Sequence, residues 1–210
     1  MFAKIINDSQ LRNNYSKNKL RPFDNTILED LYILEATASQ DYFDAFVPFE
    51  MKKNDFLLKE NEICNKLWFI EKGYARQFIF TPKDEITTDF YFPSEIITLY
   101  SSYIFNSPSM VNIQLLTDSV GYLIHWETFE KLYNKYPILL RLERIASASF
   151  CSSMGQRMHE LLALTSTERY EKLMNENSYM LQHLTLKQIA SYLGMAEETL
   201  SRIRNNIKNK

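Results

Sequence analysis

Glycine is scarce: the 210 residues contain four, Gly73, Gly121, Gly155 and Gly194. A glycine-rich phosphate loop is therefore excluded, and each glycine is a candidate for a backbone position that other residues would find strained. Cysteine is scarcer still. Cys64 and Cys151 stand far apart with no paired spacing, which excludes a disulfide scaffold, a zinc site and a cysteine-ligated iron–sulfur cluster and fits a reducing cytoplasm. No run approaches the ~18 apolar residues of a membrane span, and the opening MFAKIINDSQLRNN lacks a signal-peptide core. A cytoplasmic protein without a membrane partner is expected. Neither sign of charge dominates, with a net charge of −2 and a pI near 6.0. The sequence shows no Ser–His–Asp or Cys–His set and no metal-ligand spacing, so neither an enzyme nor a cofactor is expected. His125, His159 and His183 are isolated histidines, better read as surface or satisfied residues than as haem ligands.

What is present divides the chain in three. Residues 1–21 read as a polar lead-in, followed by a helix-period stretch with Ile27, Leu28, Leu31, Tyr32 and Leu34 apolar, and then a short helix in QDYFDAFVPF ending near Pro48. From about Phe49 to Trp126 the pattern changes to short runs rich in Ile, Phe, Tyr, Leu and Thr: DFLL, KLWFIEKG, ARQFIFT, ITTDFYF, IITLY, NIQLL and SVGYLIHW. Turn-like segments separate them, which predicts an antiparallel sandwich or jelly roll. Phe78, Phe80, Phe90 and Phe92 are expected to face the core, and Glu85, Asp89 and Glu95 to face solvent. WETFEKLYNKYP reads as one short helix. A long helix follows over 137–164, about 40 Å at 1.5 Å per residue. Its apolar stripe, including Ile138, Leu142, Ile145, Met154 and Met158, predicts either a dimer interface or a spacer lying along the sandwich.

The last segment, 165–210, carries the functional motif. Thr165 and Glu168 have capping-box spacing, and so have Thr185 and Gln188. Ile189, Ala190 and Leu193 form the buried face of a first helix, Gly194 falls at a sharp turn, and a second helix from about Ala196 buries Leu200 and Ile203. These are the spacings of a helix-turn-helix. The second helix then offers Glu197, Glu198, Thr199, Ser201, Arg202, Arg204 and Asn205 to a DNA major groove. Arg202 suits guanine, Glu198 suits the cytosine amino group, Thr185, Thr199 and Ser201 suit phosphates, and Lys187 is also expected to contact the DNA. From Thr185 onward there are five basic residues against two acidic ones, the local balance that a phosphate partner requires. Ala196 stands where a capping Ser or Thr is preferred. The sequence stops at Lys210, which predicts a tail without a β-hairpin wing.

A sandwich, a long helix and then IASYLGMAEETLSRIR together resemble the Crp/Fnr family of transcription regulators, over roughly residues 40–208. KLWFIEKGYARQFIF followed by ITTDFYF resembles the cyclic-nucleotide-binding jelly roll. ERYEKLMNENSYM followed by the tail is similar to a branch common among Bacteroidetes. The resemblance implies an α+β protein with a jelly-roll sensor over 1–136, a dimerisation helix over 137–164 and an all-α helix-turn-helix domain over 165–210. It also implies a homodimer on double-stranded operator DNA, with RNA polymerase a candidate partner. Glu198 and Arg202 match the family's base-reading pair, while Glu197 departs from it. In the cassette that holds the cyclic nucleotide phosphate, Thr98-Leu99 stand at the Gly-Glu positions and Ser109-Met110 at the Arg-Ser positions. A buried phosphate without a cation is strongly disfavoured. The expected effector is therefore an unidentified small molecule other than cAMP, or none. The alternative is a small-molecule-binding or protein-interaction module whose tail has lost DNA binding.

Overall fold

The computed structural model describes residues 33–34, 37–93, 95–177 and 180–208. The polar lead-in and most of the helix expected around Ile27–Leu34 lie outside the described residues. The chain is α+β. A short helix α1 (Gln40–Asp44) leads into eight strands: β1 (Val47–Met51), β2 (Phe56–Leu58), β3 (Lys66–Lys72), β4 (Ala75–Phe80), β5 (Glu85–Tyr91), β6 (Ile96–Ile97), β7 (Asn112–Leu115) and β8 (Ser119–His125). Helix α2 (Tyr100–Ile104) interrupts them between β6 and β7. Then come α3 (Trp126–Lys135), α4 (Ile138–Ala163), α5 (Ser166–Asn177), a 3₁₀ turn (Met180–Gln182), α6 (Leu186–Tyr192) and α7 (Glu197–Lys208).

The strands form two four-stranded antiparallel sheets, ordered β1-β8-β3-β6 and β2-β7-β4-β5. Between them lies an apolar core of Leu57, Leu58, Trp68, Ile70, Ala75, Ile97, Ile113 and Leu115, drawn from both sheets. Such a sandwich follows from alternating apolar and polar residues, because each sheet must bury one face against the other. Gly121 is needed for packing: a Cβ there would stand 2.0 Å from the Phe69 carbonyl oxygen. The left-handed turns fall mostly to asparagine, with φ of 74° at Asn54, 69° at Asn61 and 46° at Asn106, since asparagine tolerates this region better than most residues. Gly155 shows no comparable need, as a Cβ there would meet nothing within 4 Å.

Three expectations need correction. The helix before the sandwich ends at Asp44, and Pro48 lies inside β1, paired with Tyr122. Because β1 is an edge strand, a residue without an N–H is tolerated there. Phe78, Phe90 and Phe92 are buried, but Phe80 is 61% exposed. It sits at the outer end of β4, edge-on to Phe78 at 5.3 Å. The acidic strand residues do not simply face solvent. Asp89 is buried at 6% exposure, Glu95 is half-buried, and half-buried Glu85 receives two bonds from the buried Arg76 guanidinium, at 2.7 and 3.2 Å. Glu85 balances a charge that would otherwise be buried without its counter-ion.

A second core seats the helices. Tyr42, Ile124, Leu132, Tyr136 and Leu139 bury one another, with Ile138 and Leu142 packed against them. At its rim Asp41 accepts from Lys135 Nζ at 2.7 Å, from the Ser39 hydroxyl at 2.5 Å and from the Tyr136 hydroxyl at 3.2 Å. The Lys135 bond and then the Ser39 bond hold the Asp41 carboxyl at about 2, against an ordinary 3.8. A depressed carboxylate stabilises the fold above its unfolded value and loses that contribution as pH falls through the folded one. Acid unfolding of Asp41→Asn should therefore show a shallower loss of stability between about pH 4 and pH 2 than the unsubstituted chain, measured by urea midpoints across that window.

Candidate nucleic-acid interface

The expected caps, the turn at Gly194 and the two helices on either side of it are present in the tail. Thr165 and Glu168 cap α5 reciprocally, with the Glu168 carboxylate accepting from the Thr165 N–H at 2.7 Å and the Thr165 hydroxyl from the Glu168 N–H at 3.3 Å. Thr185 and Gln188 form a full capping box at the start of α6. Gly194 turns the chain with φ +63°, and the Met195 N–H donates back to the Ala190 carbonyl at 3.0 Å. This is the six-to-one bond of a glycine-terminated helix. Ile189, Ala190, Leu193, Leu200 and Ile203 are buried together with Tyr170 and Leu173 of α5. Small Ala190 lets α6 and α7 approach closely. α7 begins at Glu197, and the Ala196 carbonyl accepts the first helical bond, from Leu200 at 3.1 Å. Ala196 has no side-chain acceptor for the free N–H groups that follow it.

The face of α7 expected to meet DNA is open to solvent. Glu197, Glu198, Arg202 and Asn205 are exposed, and Thr199, Ser201 and Arg204 are half-buried. Thr185 and Lys187 lie beside it at the start of α6, also exposed. Two arginines fix the far end of α6. Arg157 of α4 donates to the Tyr192 carbonyl and stacks over the Tyr192 ring at 4.0 Å. Arg169 of α5 donates to the Leu193 carbonyl at 2.8 Å and to the Leu164 carbonyl at 2.7 Å. Cations placed on the last carbonyls of a helix satisfy its orphan acceptors and oppose its dipole.

Sequence reasoning missed how the tail meets the jelly roll. α6 lies along β5, the edge of its sheet. The Thr87 N–H donates to the Ser191 hydroxyl at 3.2 Å. Phe90 meets the Tyr192 ring at 4.9 Å, and Tyr74 stacks on His183 at 4.7 Å. Lys187 forms an ion pair with Asp84 of the β4–β5 turn at 2.6 Å. Phe90, Phe92 and Leu116 belong to the same buried cluster as the apolar residues of α5, α6 and α7. These partners are about a hundred residues apart in the chain, and no local pattern announces them. Asp84 reads in the sequence only as a turn residue.

The four cassette residues are placed differently from one another. The Thr98 hydroxyl donates to the Lys66 carbonyl at 3.0 Å and accepts from the Trp126 indole at 3.2 Å. The Leu99 N–H donates to the Cys64 sulfur at 3.2 Å. The Ser109 hydroxyl donates to the Val111 carbonyl at 2.7 Å, and Met110 is 81% exposed. Between Arg21 and Arg141 the one arginine is Arg76, and its terminal nitrogens are held by Glu85 and Gln114. Tyr91 packs against the inter-sheet core and its hydroxyl donates to Gln77 at 3.0 Å. Burial, reinforced by the Asp89 and Glu95 carboxylates, pushes the Tyr91 hydroxyl well above its ordinary value.

From the cassette a polar link reaches α4. The Tyr133 hydroxyl donates to Glu143, and Glu143 also takes a hydrogen bond from Tyr100 of α2. That bond, ahead of burial, raises the Tyr100 hydroxyl to about 12. Along α4 itself, Ile138 and Leu142 turn toward the chain's own second core, Ile145 and Met154 are half-buried, and Met158 is 62% exposed. Leu161 and Leu162 of the expected stripe are exposed as well, and Leu140 and Phe150, which lie outside that stripe, add further exposed apolar surface. No helix among the described residues is long and apolar enough to cross a membrane, and none of their acidic, His and Cys side chains group as a metal site.

With this geometry in hand, the comparisons are specific. Residues 48–136 match the family model of the cyclic nucleotide-binding domain. The c-di-GMP-responsive global regulator CLP of Xanthomonas campestris is similar, with a TM-score of 0.65 at 12% identity over 81% of this chain and 90% of that one. A mutant of CooA from Carboxydothermus hydrogenoformans gives 0.66 at 15% identity, over 85% and 84%. A transcriptional regulator of the Crp/Fnr family from Eubacterium rectale gives 0.63 at 18%, over 83% and 86%. No curated protein matches the sequence. The chain thus contains a cyclic nucleotide-binding-type jelly roll, and nearly its whole described length shares the fold of Crp/Fnr-type regulators.

Capping gives a direct check on the tail. Thr185→Ala should lower the unfolding free energy by about 1 kcal/mol, and Ala196→Ser should raise it by about 0.5–1 kcal/mol. Both are read from urea unfolding curves.

Proposed function

We propose that this chain is a homodimeric, DNA-binding transcription regulator of the Crp/Fnr type, whose jelly roll responds to something other than cAMP. The observation that carries the reading is the α6–Gly194–α7 unit. It is capped at Thr185, turned at a left-handed glycine, and presents Glu198 and Arg202 one helical turn apart on an exposed face. A second helix displaying Arg and Glu in this way suits guanine and cytosine edges in the major groove. Thr185, Lys187, Thr199 and Ser201 serve the phosphates, and Arg204 and Asn205 flank them. The operator is a double-stranded site of two half-sites about 34 Å apart.

Dimerisation through α4 rests on its exposed Leu140, Phe150, Met158, Leu161 and Leu162, a long apolar surface for a helix in water. The signal would reach α4 through Tyr100 and Glu143 and alter the spacing of the two tails. The cAMP phosphate finds no arginine, since Arg76 is already engaged by Glu85 and Gln114. An uncharged effector, or none, suits a cassette of Thr98, Leu99, Ser109 and Met110 better.

Three outcomes test the proposal. Fluorescence anisotropy on the DNA upstream of its own gene, against excess random duplex, should show salt-dependent binding that cAMP does not strengthen. Arg202→Ala should weaken it about tenfold or more, given ~1–3 kcal/mol for a bidentate base contact. A cAMP-dependent gain would sink the orphan-sensor reading, and an Arg202→Ala variant that binds normally would sink the assignment of the recognition face. Cys151 is exposed on α4 while Cys64 is buried. A bis-maleimide should therefore yield a covalent dimer that Cys151→Ser abolishes, and a monomer mass by sedimentation would contradict the dimer.

A further inference from the structure

Lys187 is the predicted phosphate-contacting residue that the jelly roll already holds. Its ammonium lies 2.6 Å from Asp84 Oδ1, and both side chains are about half exposed, at 47% and 50%. Asp84 is fixed in its turn: its carbonyl accepts from the Thr81 N–H and hydroxyl, both at 2.7 Å, and its carboxylate accepts from the Glu85 N–H at 2.8 Å. Glu85 and Glu197 stand near enough to reinforce the positive charge on Lys187, after the Asp84 bond itself. A phosphate approaching the start of α6 therefore meets a lysine already neutralised by one carboxylate, with Glu197 a second nearby.

Resting on the DNA-binding reading above, we propose that the β4–β5 turn of the jelly roll is an autoinhibitory latch, in which Asp84 occupies Lys187 and must be exchanged for a DNA phosphate. The pair is well suited to exchange. It lies at the solvent rim of the docked surface, where an ion pair contributes little and breaks readily. The buried contacts that keep α6 on β5, Phe90 with Tyr192 and Thr87 with Ser191, lie farther along the strand. The turn can thus release Lys187 without undocking the tail. Any signal that shifts β4 and β5 relative to α6 alters the latch, so this contact joins the jelly roll to the DNA-facing end of the tail without passing through α4.

The test uses the full-length chain on random duplex, so that no operator need be known. Asp84→Asn should bind roughly two- to fivefold more tightly, the range open to a surface pair. Its log K against log[salt] should keep the slope of the unsubstituted chain, because after the exchange Lys187 meets the same phosphate in both proteins. Two variants separate the latch from a simple loss of negative charge. In a Lys187→Ala background, Asp84→Asn should bring no gain. Asp118→Asn, which removes a carboxylate paired with Lys52 elsewhere on the jelly roll, should bring none either. An equal gain in either case overturns the latch, as does an unchanged Asp84→Asn in a protein whose operator binding still depends on Arg202. Absence of DNA binding in every variant, or binding indifferent to Arg202, overturns the DNA-binding reading itself and this proposal with it.

Discussion

The contact on which the rest of the molecule depends is the burial of Phe90 and Phe92 against the helices of the tail. α5, α6 and α7 are short, and alone they would enclose only a few apolar side chains. In the structure their core of Tyr170, Leu173, Ile189, Leu193, Leu200 and Ile203 is completed by the outer face of β5 and by Leu116. Burying a large apolar side chain contributes about 1.5–3 kcal/mol, a sizeable share of the ~5–15 kcal/mol that stabilises a whole domain. Jelly roll and tail are therefore not two beads on a string. They hold one buried cluster in common, and α6 is set by β5 on one side and by Arg157 and Arg169 at its end.

That arrangement gives the protein two routes between its halves. One runs from α2 through Tyr100 and Glu143 into α4. The other crosses directly from the β4–β5 turn to Lys187 at the start of α6. They differ in kind. The first runs among aromatic rings, with Tyr100 and Tyr103 both against Trp126. The second lies at the surface and is open to salt.

Much of this was legible in the sequence wherever the cause was local. The capping box at Thr185 and Gln188 needs only a three-residue spacing, and Gly194 only a left-handed turn. The sandwich followed from the alternation of the strands, and the long helix from its apolar repeat. Errors arose where the cause was distant. Phe80 has the composition of a core residue but lies at the outer end of β4. Pro48 looked like a helix stop, whereas an edge position in β1 accommodates it. Asp89 and Glu85 looked like solvent-facing acids because nothing near them in sequence reveals what surrounds them. The arginine-free stretch from Arg76 to Arg141 was visible in the sequence, but the engagement of Arg76 by Glu85 and Gln114 was not.

The Ser191 hydroxyl that accepts the Thr87 N–H has one further consequence. β5 is the last strand of its sheet, rich in Thr, Ile, Phe and Tyr, and a bare strand of that composition is a template for pairing with another chain. The tail acts as the cover of that edge. A complete departure of the tail would leave a sticky ribbon facing solvent, so selection against self-association should favour signalling by small movements at the rim over wholesale release.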